Sequence, residues 1–111
     1  MKESEFQRNL IKEIKTKIPN SLVMKTNPNY IQGIPDLIVL ANDKWAALEV
    51  KESANAKHQP NQDLYVARLN KMSFARFVYP ENKQEVMNEL EQTLQPTRNS
   101  RSLQRKSRLL G

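Results

Sequence analysis

Two neighbouring apolar segments of the sequence carry charged residues at their ends. An aspartate begins the first segment, and a glutamate and a lysine end the second. Asp36 follows a proline at the start of the run "DLIVLA", and Glu49 and Lys51 lie two apart at the end of the run "WAALEVK". Side chains alternate between the two faces of a strand, so Glu49 and Lys51 point to the same face. An unpaired carboxylate in an apolar setting costs several kcal/mol, so these charges need a partner.

The spacing of the two runs predicts that these charges meet. The polar segment 42–44 between them favours a hairpin turn, and a turn centred there pairs position 36 with position 50. Asp36 would then lie beside Glu49 and Lys51, and two carboxylates that close repel unless a cation separates them. Hard oxygen ligands favour Mg²⁺, for which Mn²⁺ can substitute. The sequence therefore predicts a divalent metal site at this end of the hairpin.

Simpler interpretations of the same residues remain open. Asp36 after a proline is also a common turn residue. Glu49 and Lys51 could form a surface ion pair on an exposed strand face, which contributes little to stability. Neither interpretation accounts for all three residues together.

The spacing of apolar residues predicts the remaining helices and strands, and Pro, Gly and Asn mark the loops between them. Two helix starts carry capping signals, Ser4 with Gln7 and Asn82 with Glu85. The order is α-β-β-β-α-β-α, which predicts an α/β protein with a mixed β-sheet flanked by helices. The predicted helices are 5–18, 61–71 and 82–94, and the predicted strands are 21–26, 36–41, 45–51 and 73–80.

Composition divides the chain into a domain and a tail. Of the 111 residues, 38% are apolar and 27% are charged, which suits one globular domain, predicted at 1–96. Segment 97–111 is basic and contains no acid, so it could contact nucleic acid phosphates or be a solvated, disordered end. Its basic residues are Arg98, Arg101, Arg105, Lys106 and Arg108.

The chain contains no cysteine, which excludes disulfides and thiolate metal sites and is compatible with a reducing cytosol. It shows neither a signal peptide nor a run of about 18 apolar residues. We therefore expect a cytoplasmic protein that does not span a membrane.

The segment "GIPD", followed after twelve residues by "EVK", resembles the motif of the PD-(D/E)XK nuclease superfamily. "GIPD" in particular is similar to the virus-type replication-repair nuclease (VRR-NUC) branch, in its stand-alone, phage-type form. The resemblance covers residues 3–93 and implies a restriction-endonuclease-like core. It also implies a Mg²⁺-dependent DNA endonuclease that acts as a homodimer on branched DNA such as Holliday junctions, in the host cytoplasm if a phage encodes it.

The resemblance assigns roles to individual residues. It implies that Asp36, Glu49 and the carbonyl of Val50 bind the metal, and that Lys51 positions the attacking water and stabilises the charge on the phosphate. Glu5, on the first helix, would join the metal site directly or through water, although an acid in a first helical turn is also favoured by the helix dipole.

Gln62 would orient the water or a phosphate oxygen, a role that Asn61, Gln59 or His58 could fill instead. Lys25 and Asn27 precede the motif and are candidate contacts to a DNA backbone, although ordinary loop chemistry explains them equally well. Two alternatives to a junction-selective enzyme remain, a nicking or general DNA endonuclease and a non-catalytic DNA-binding protein on a nuclease fold. Divalent-metal dependence of cleavage separates the enzymes from the binding protein.

Overall fold

A computed structural model of the chain describes residues 1–96, and the basic residues of the predicted tail lie outside that range. The α/β class and the predicted order of elements are confirmed. Among the described residues, no helix is long and apolar enough to cross a membrane. The elements are α1 (Glu3–Lys17), β1 (Leu22–Lys25), β2 (Leu37–Ala41), β3 (Lys44–Val50), α2 (Gln62–Met72), β4 (Ala75–Val78) and α3 (Lys83–Thr93).

The four strands form one mixed sheet in the order β1-β2-β3-β4. The pairs β1/β2 and β2/β3 are antiparallel and follow each other along the chain, whereas β3 and β4 are parallel and are joined through α2. This arrangement leaves β1 at one edge of the sheet and places β3, which carries Glu49, in the interior beside β4.

The hydrophobic core lies between one face of this sheet and the helices α1 and α3. Alternate residues of β2 and β3, such as Val39 and Leu48, point into it, where they meet buried side chains of α1 and α3 such as Leu10 and Leu90. Burying a side chain of this size contributes about 1.5–3 kcal/mol. The opposite face of β3 carries Glu49 and is covered by α2, whose first residue, Gln62, reaches that carboxylate.

The β2–β3 turn differs from the expected one by one residue. Leu37 pairs with Leu48 and Ala41 with Lys44, so the turn contains only Asn42 and Asp43. Asn42 adopts a left-handed conformation with φ 61°, which asparagine tolerates better than most residues. Extended past the end of β2, this register sets Asp36 opposite Glu49, and cross-strand partners point to the same face of a sheet. The predicted pairing of 36 with 50 was wrong, and the observed pairing brings the carboxylates closer together.

The predicted start of the last helix at Asn82 is confirmed and that of the first at Ser4 is wrong, and at neither helix does a side chain cap the backbone. Helix α1 begins at Glu3, before Ser4, and no side chain caps it. Asn82 does precede α3, but its amide oxygen accepts a hydrogen bond from the Tyr79 backbone N–H, and its amide nitrogen donates to the Phe77 carbonyl. Asn82 therefore closes the β4–α3 turn and leaves the first backbone N–H groups of the helix uncapped.

Candidate metal and phosphodiester site

Asp36 is held at the mouth of the β2–β3 hairpin by backbone groups. Its Oδ2 accepts a hydrogen bond of 2.8 Å from the backbone N–H of Val50. Its own carbonyl accepts one of 2.9 Å from the N–H of Thr26, at the end of β1. The Thr26 hydroxyl also donates to the carbonyl of Pro35 at 2.6 Å. Three strands thus fix the aspartate and leave its second carboxylate oxygen for another partner.

Glu49 is a buried carboxylate that is only partly satisfied. Its side chain is 2% exposed, and its Oε2 accepts a hydrogen bond of 3.1 Å from the Gln62 amide. Oε1 is buried without any partner. Burial, the charge of Asp36 and a hydrogen bond that protonated Glu49 can donate to Asp36 together raise the pKa of Glu49 from 4.5 to about 9, and the charge of Lys51 opposes this rise. Two carboxyl groups can share a hydrogen bond only when one of them is protonated, so the pair requires either a proton or a cation.

Lys51 supplies the positive charge beside this pair. It is 5% exposed, and its Nζ donates a hydrogen bond of 3.1 Å to the carbonyl of Lys57 in the segment before α2. Its charge favours the ionised forms of Glu49 and Glu3 and so partly offsets the rise in the pKa of each. One carbonyl leaves the other ammonium protons of Lys51 for further acceptors, such as a phosphate oxygen.

Gln62 is oriented by the segment that leads into α2. Its Oε1 accepts a hydrogen bond of 2.8 Å from the backbone N–H of Gln59, so its amide nitrogen faces Glu49. Of the alternatives for this role, His58 is engaged elsewhere, since its ring bonds Asp63 at 2.7 Å and stacks on Phe77. The structure therefore brings Gln62, and not His58, to the carboxylates.

Gly33 sets the distance between the "GIPD" loop and the start of α2. The residue has φ +90°, and a Cβ atom there would lie 2.7 Å from atoms of Asn61 and 2.8 Å from the carbonyl of Pro60. A methyl group does not fit in that space. The close backbone approach keeps Gln62 within reach of the hairpin that carries Asp36 and Glu49.

Of the two acids in the first turn of α1, Glu3 faces the site and Glu5 does not. Glu3 is in line with the buried Phe6 and Leu10 at helical spacing, and two residues turn a helix by about 200°, so Glu5 points away from the sheet. Partial burial, then the charge of Asp36 and that of Glu52, raise the pKa of Glu3, which Lys51 lowers. Sequence reasoning started the helix at Glu5 and missed Glu3, although the spacing of Glu3 from Phe6 was a usable signal.

The chemistry of these donors fits a small divalent cation. Within residues 1–96, no group of three or more His, Cys, Asp or Glu side chains is arranged to hold a metal ion. The candidate ligands are therefore the two carboxylates of Asp36 and Glu49 with a backbone carbonyl, that of Val50. Mg²⁺ commonly binds through one or two carboxylates and keeps several waters, so a small protein share suits it. The partnerless Oε1 of Glu49 is the feature that such a cation would satisfy.

The residues predicted to contact DNA are only partly within the described range. Lys25 is exposed at the end of β1, and it lies opposite Leu37, so its side chain is on the α1 face of the sheet. Asn27 is exposed too, but its Oδ1 accepts a hydrogen bond from the N–H of Asn29 and shapes the loop. The predicted contacts of the tail lie outside the described residues, namely Arg98, Arg101, Arg105, Lys106 and Arg108.

Comparisons of the chain with protein-family models, with curated proteins and with solved structures gave no match.

Proposed function

We propose that this protein is a Mg²⁺-dependent endodeoxyribonuclease that hydrolyses phosphodiester bonds at the Asp36–Glu49 site, on a restriction-endonuclease-like core. One observation carries the proposal. Glu49 is 2% exposed, lies beside a second carboxylate and has an oxygen without a partner. A buried pair of acids is costly to stability unless a cation or proton compensates it, and here a buried lysine stands next to it. The "GIPD…EVK" resemblance supports the same assignment.

Each side chain of the site has a task that follows from its surroundings. Asp36, Glu49 and the Val50 carbonyl would hold the cation, which when bound lowers the pKa of a water and neutralises charge on the phosphate. Lys51, held by its hydrogen bond to the Lys57 carbonyl, would offer its remaining N–H donors to a phosphate oxygen. Gln62 keeps the Glu49 carboxylate in one orientation, because it is itself held by Gln59.

We further propose that the substrate is branched DNA and that the active species is a homodimer acting in the cytoplasm. Both parts rest on the resemblance to stand-alone virus-type nucleases. Physical reasoning favours the same arrangement, because a two-fold dimer presents two identical sites to a nearly symmetric four-way junction.

The test compares a labelled four-way junction with matched linear duplex and single strand, in Mg²⁺ or Mn²⁺ and in EDTA. Wild type is assayed beside Glu49→Ala and beside Glu85→Gln, which removes an exposed acid on α3 and serves as the control. We expect symmetric, metal-dependent cuts in the junction that Glu49→Ala abolishes and Glu85→Gln preserves. Sedimentation of wild type with and without junction then measures whether the cleaving species is a dimer.

Two other results would redirect the proposal. Metal-dependent cutting without preference for the junction would keep the site but make the protein a nicking or general DNA endonuclease. Binding without cleavage under every metal condition would refute the enzyme and leave a non-catalytic DNA-binding protein on a nuclease fold.

A further inference from the structure

A shallow basic cleft lies between α1 and the edge strand β1. It has a volume of about 520 Å³, and no carboxylate lines it. Four of its six lining residues are cations, all exposed, and no salt bridge within residues 1–96 involves any of them. The lining residues are Ser4, Arg8, Ile11, Lys12, Lys15 and Lys25.

The cations on α1 form a track, because they lie on one side of the helix. Positions 4, 8, 11, 12 and 15 share one side of a helix, so the α1 residues of the cleft follow one another along its axis. From Ser4 to Lys15 the helix rises about 16 Å. One strand of B-DNA carries a phosphate about every 3.4 Å along its axis, so the track matches about five nucleotides.

One end of the cleft adjoins the candidate active site. Ser4 follows Glu3, which lies close enough to Asp36 for their charges to interact. Lys25 precedes Thr26, whose N–H donates to the carbonyl of Asp36. The Ser4 end of the cleft therefore lies at the end of the sheet that holds the carboxylates, and the cleft leads away from that end along α1.

We propose that this cleft binds the phosphate backbone of the DNA strand next to the bond presented to Asp36 and Glu49. The inference rests on the proposed nuclease function and names the surface that receives its substrate. The two carboxylates repel phosphates at close range, so cations beside them are needed to hold the backbone. Phosphate contacts of this kind position DNA without reading its sequence, which suits recognition of shape.

The test measures binding of a labelled linear duplex to the full chain in EDTA, over about 50 to 200 mM salt. The cleft variant replaces Lys12, Lys15 and Lys25 by Gln. The control variant replaces three lysines outside the cleft, Lys17, Lys44 and Lys83, by Gln, so both lose the same charge and both keep the tail. Each phosphate contact contributes about 0.9 to the slope of log K against log salt.

We expect the cleft variant to lower the magnitude of that slope by about 2 to 3 and to weaken binding at least about tenfold, with the control close to wild type. Equal losses of DNA affinity in the two variants would show an effect of net charge alone and overturn the cleft proposal. No loss of affinity in either variant would overturn it as well. Circular dichroism of each variant confirms that the fold is kept.

Single-turnover cleavage in Mg²⁺ at saturating enzyme separates this inference from the proposed function. Suppose that wild type never cleaves, and that DNA binding loses its salt dependence in the cleft variant but not in the control variant. The nuclease proposal then fails, and the cleft stands as a DNA-binding surface. If wild type cleaves and the cleft variant binds like the control, the nuclease stands and the cleft is refuted. A cleft variant that binds weakly but cleaves at the wild-type rate when saturated supports both.

Discussion

Replacing Glu49 by Gln should stabilise the metal-free protein at neutral and basic pH while removing its cleavage activity. Gln is close in shape to a protonated Glu. Its oxygen can still accept from Gln62, and its NH₂ group can donate to Asp36 as the carboxyl proton would. The variant therefore has the hydrogen bonds of the protonated pair without an acid that must bind a proton.

The magnitude follows from the raised pKa of Glu49, which is about 9 in the folded chain against an ordinary value of 4.5. A folded state that binds a proton more tightly than the unfolded state is stabilised by it below pH 4.5, and this contribution is lost as pH rises toward 9. Each pH unit within that window is worth at most about 1.4 kcal/mol, so wild type loses up to about 4 kcal/mol between pH 5 and pH 8. Glu3, whose pKa is also raised, adds to the loss in both proteins.

The assay is urea unfolding of wild type, Glu49→Gln and the control Glu85→Gln at pH 5 and pH 8, in EDTA and then in Mg²⁺. We expect the Glu49→Gln variant to exceed wild type by about 2–4 kcal/mol at pH 8 and to match it at pH 5. Mg²⁺ should raise the free energy of unfolding of wild type at pH 8 and leave Glu49→Gln unchanged, because a ligand stabilises only the state that binds it.

The reasoning would be refuted if the difference in free energy of unfolding between Glu49→Gln and wild type were the same at pH 5 and at pH 8. It would also be refuted if Mg²⁺ stabilised both proteins equally, since the cation would then bind somewhere other than at the Glu49 carboxylate.

Two further substitutions test how the site is assembled. Gly33→Ala should destabilise the fold by about 1–3 kcal/mol, because its methyl group meets the Asn61 backbone, and urea unfolding with single-turnover cleavage should show loss of both stability and rate. An unaltered cleavage rate would mean that this contact does not position α2. Gln62→Ala should leave Glu49 without its hydrogen-bond donor and slow cleavage by about 10- to 100-fold with the fold retained by circular dichroism, the size expected when a residue that orients a metal ligand is lost. A rate within a factor of about two of wild type would contradict that orienting role.

The fold could be predicted from the sequence because its apolar periodicity is clear. Phe6, Leu10 and Ile14 recur at helical spacing and are all buried in α1. Strand β2 is apolar at every position, which predicted a strand-length run, and the structure buries alternate residues of it, including Leu37 and Val39. These patterns reflect burial of one face, which dominates the energetics of each element.

The details of the site could be predicted less completely, because they depend on local backbone geometry and on contacts between distant segments. The hairpin register depends on the left-handed conformation of Asn42, and a three-residue turn suited the sequence equally well. The choice between Glu3 and Glu5 depends on where α1 starts, and the Ser4 capping signal placed that start too late. The contact of Gln62 with Glu49 depends on the close approach of Gly33 to Asn61, which no periodic pattern encodes.

The contact between Gly33 and Asn61 also closes a loop of chain. Asp36, Glu49 and Lys51 lie within that loop, and Gln62 follows it directly. Closing a loop of this length costs about 3 kcal/mol of chain entropy, a cost that is incurred once for all the groups it gathers. The contacts that join these groups require no residue beyond 62, whereas α3, which completes the core beneath them, comes later in the chain. The contacts among the candidate-site groups are therefore complete within the first 62 residues, whereas the core that supports them also needs α3.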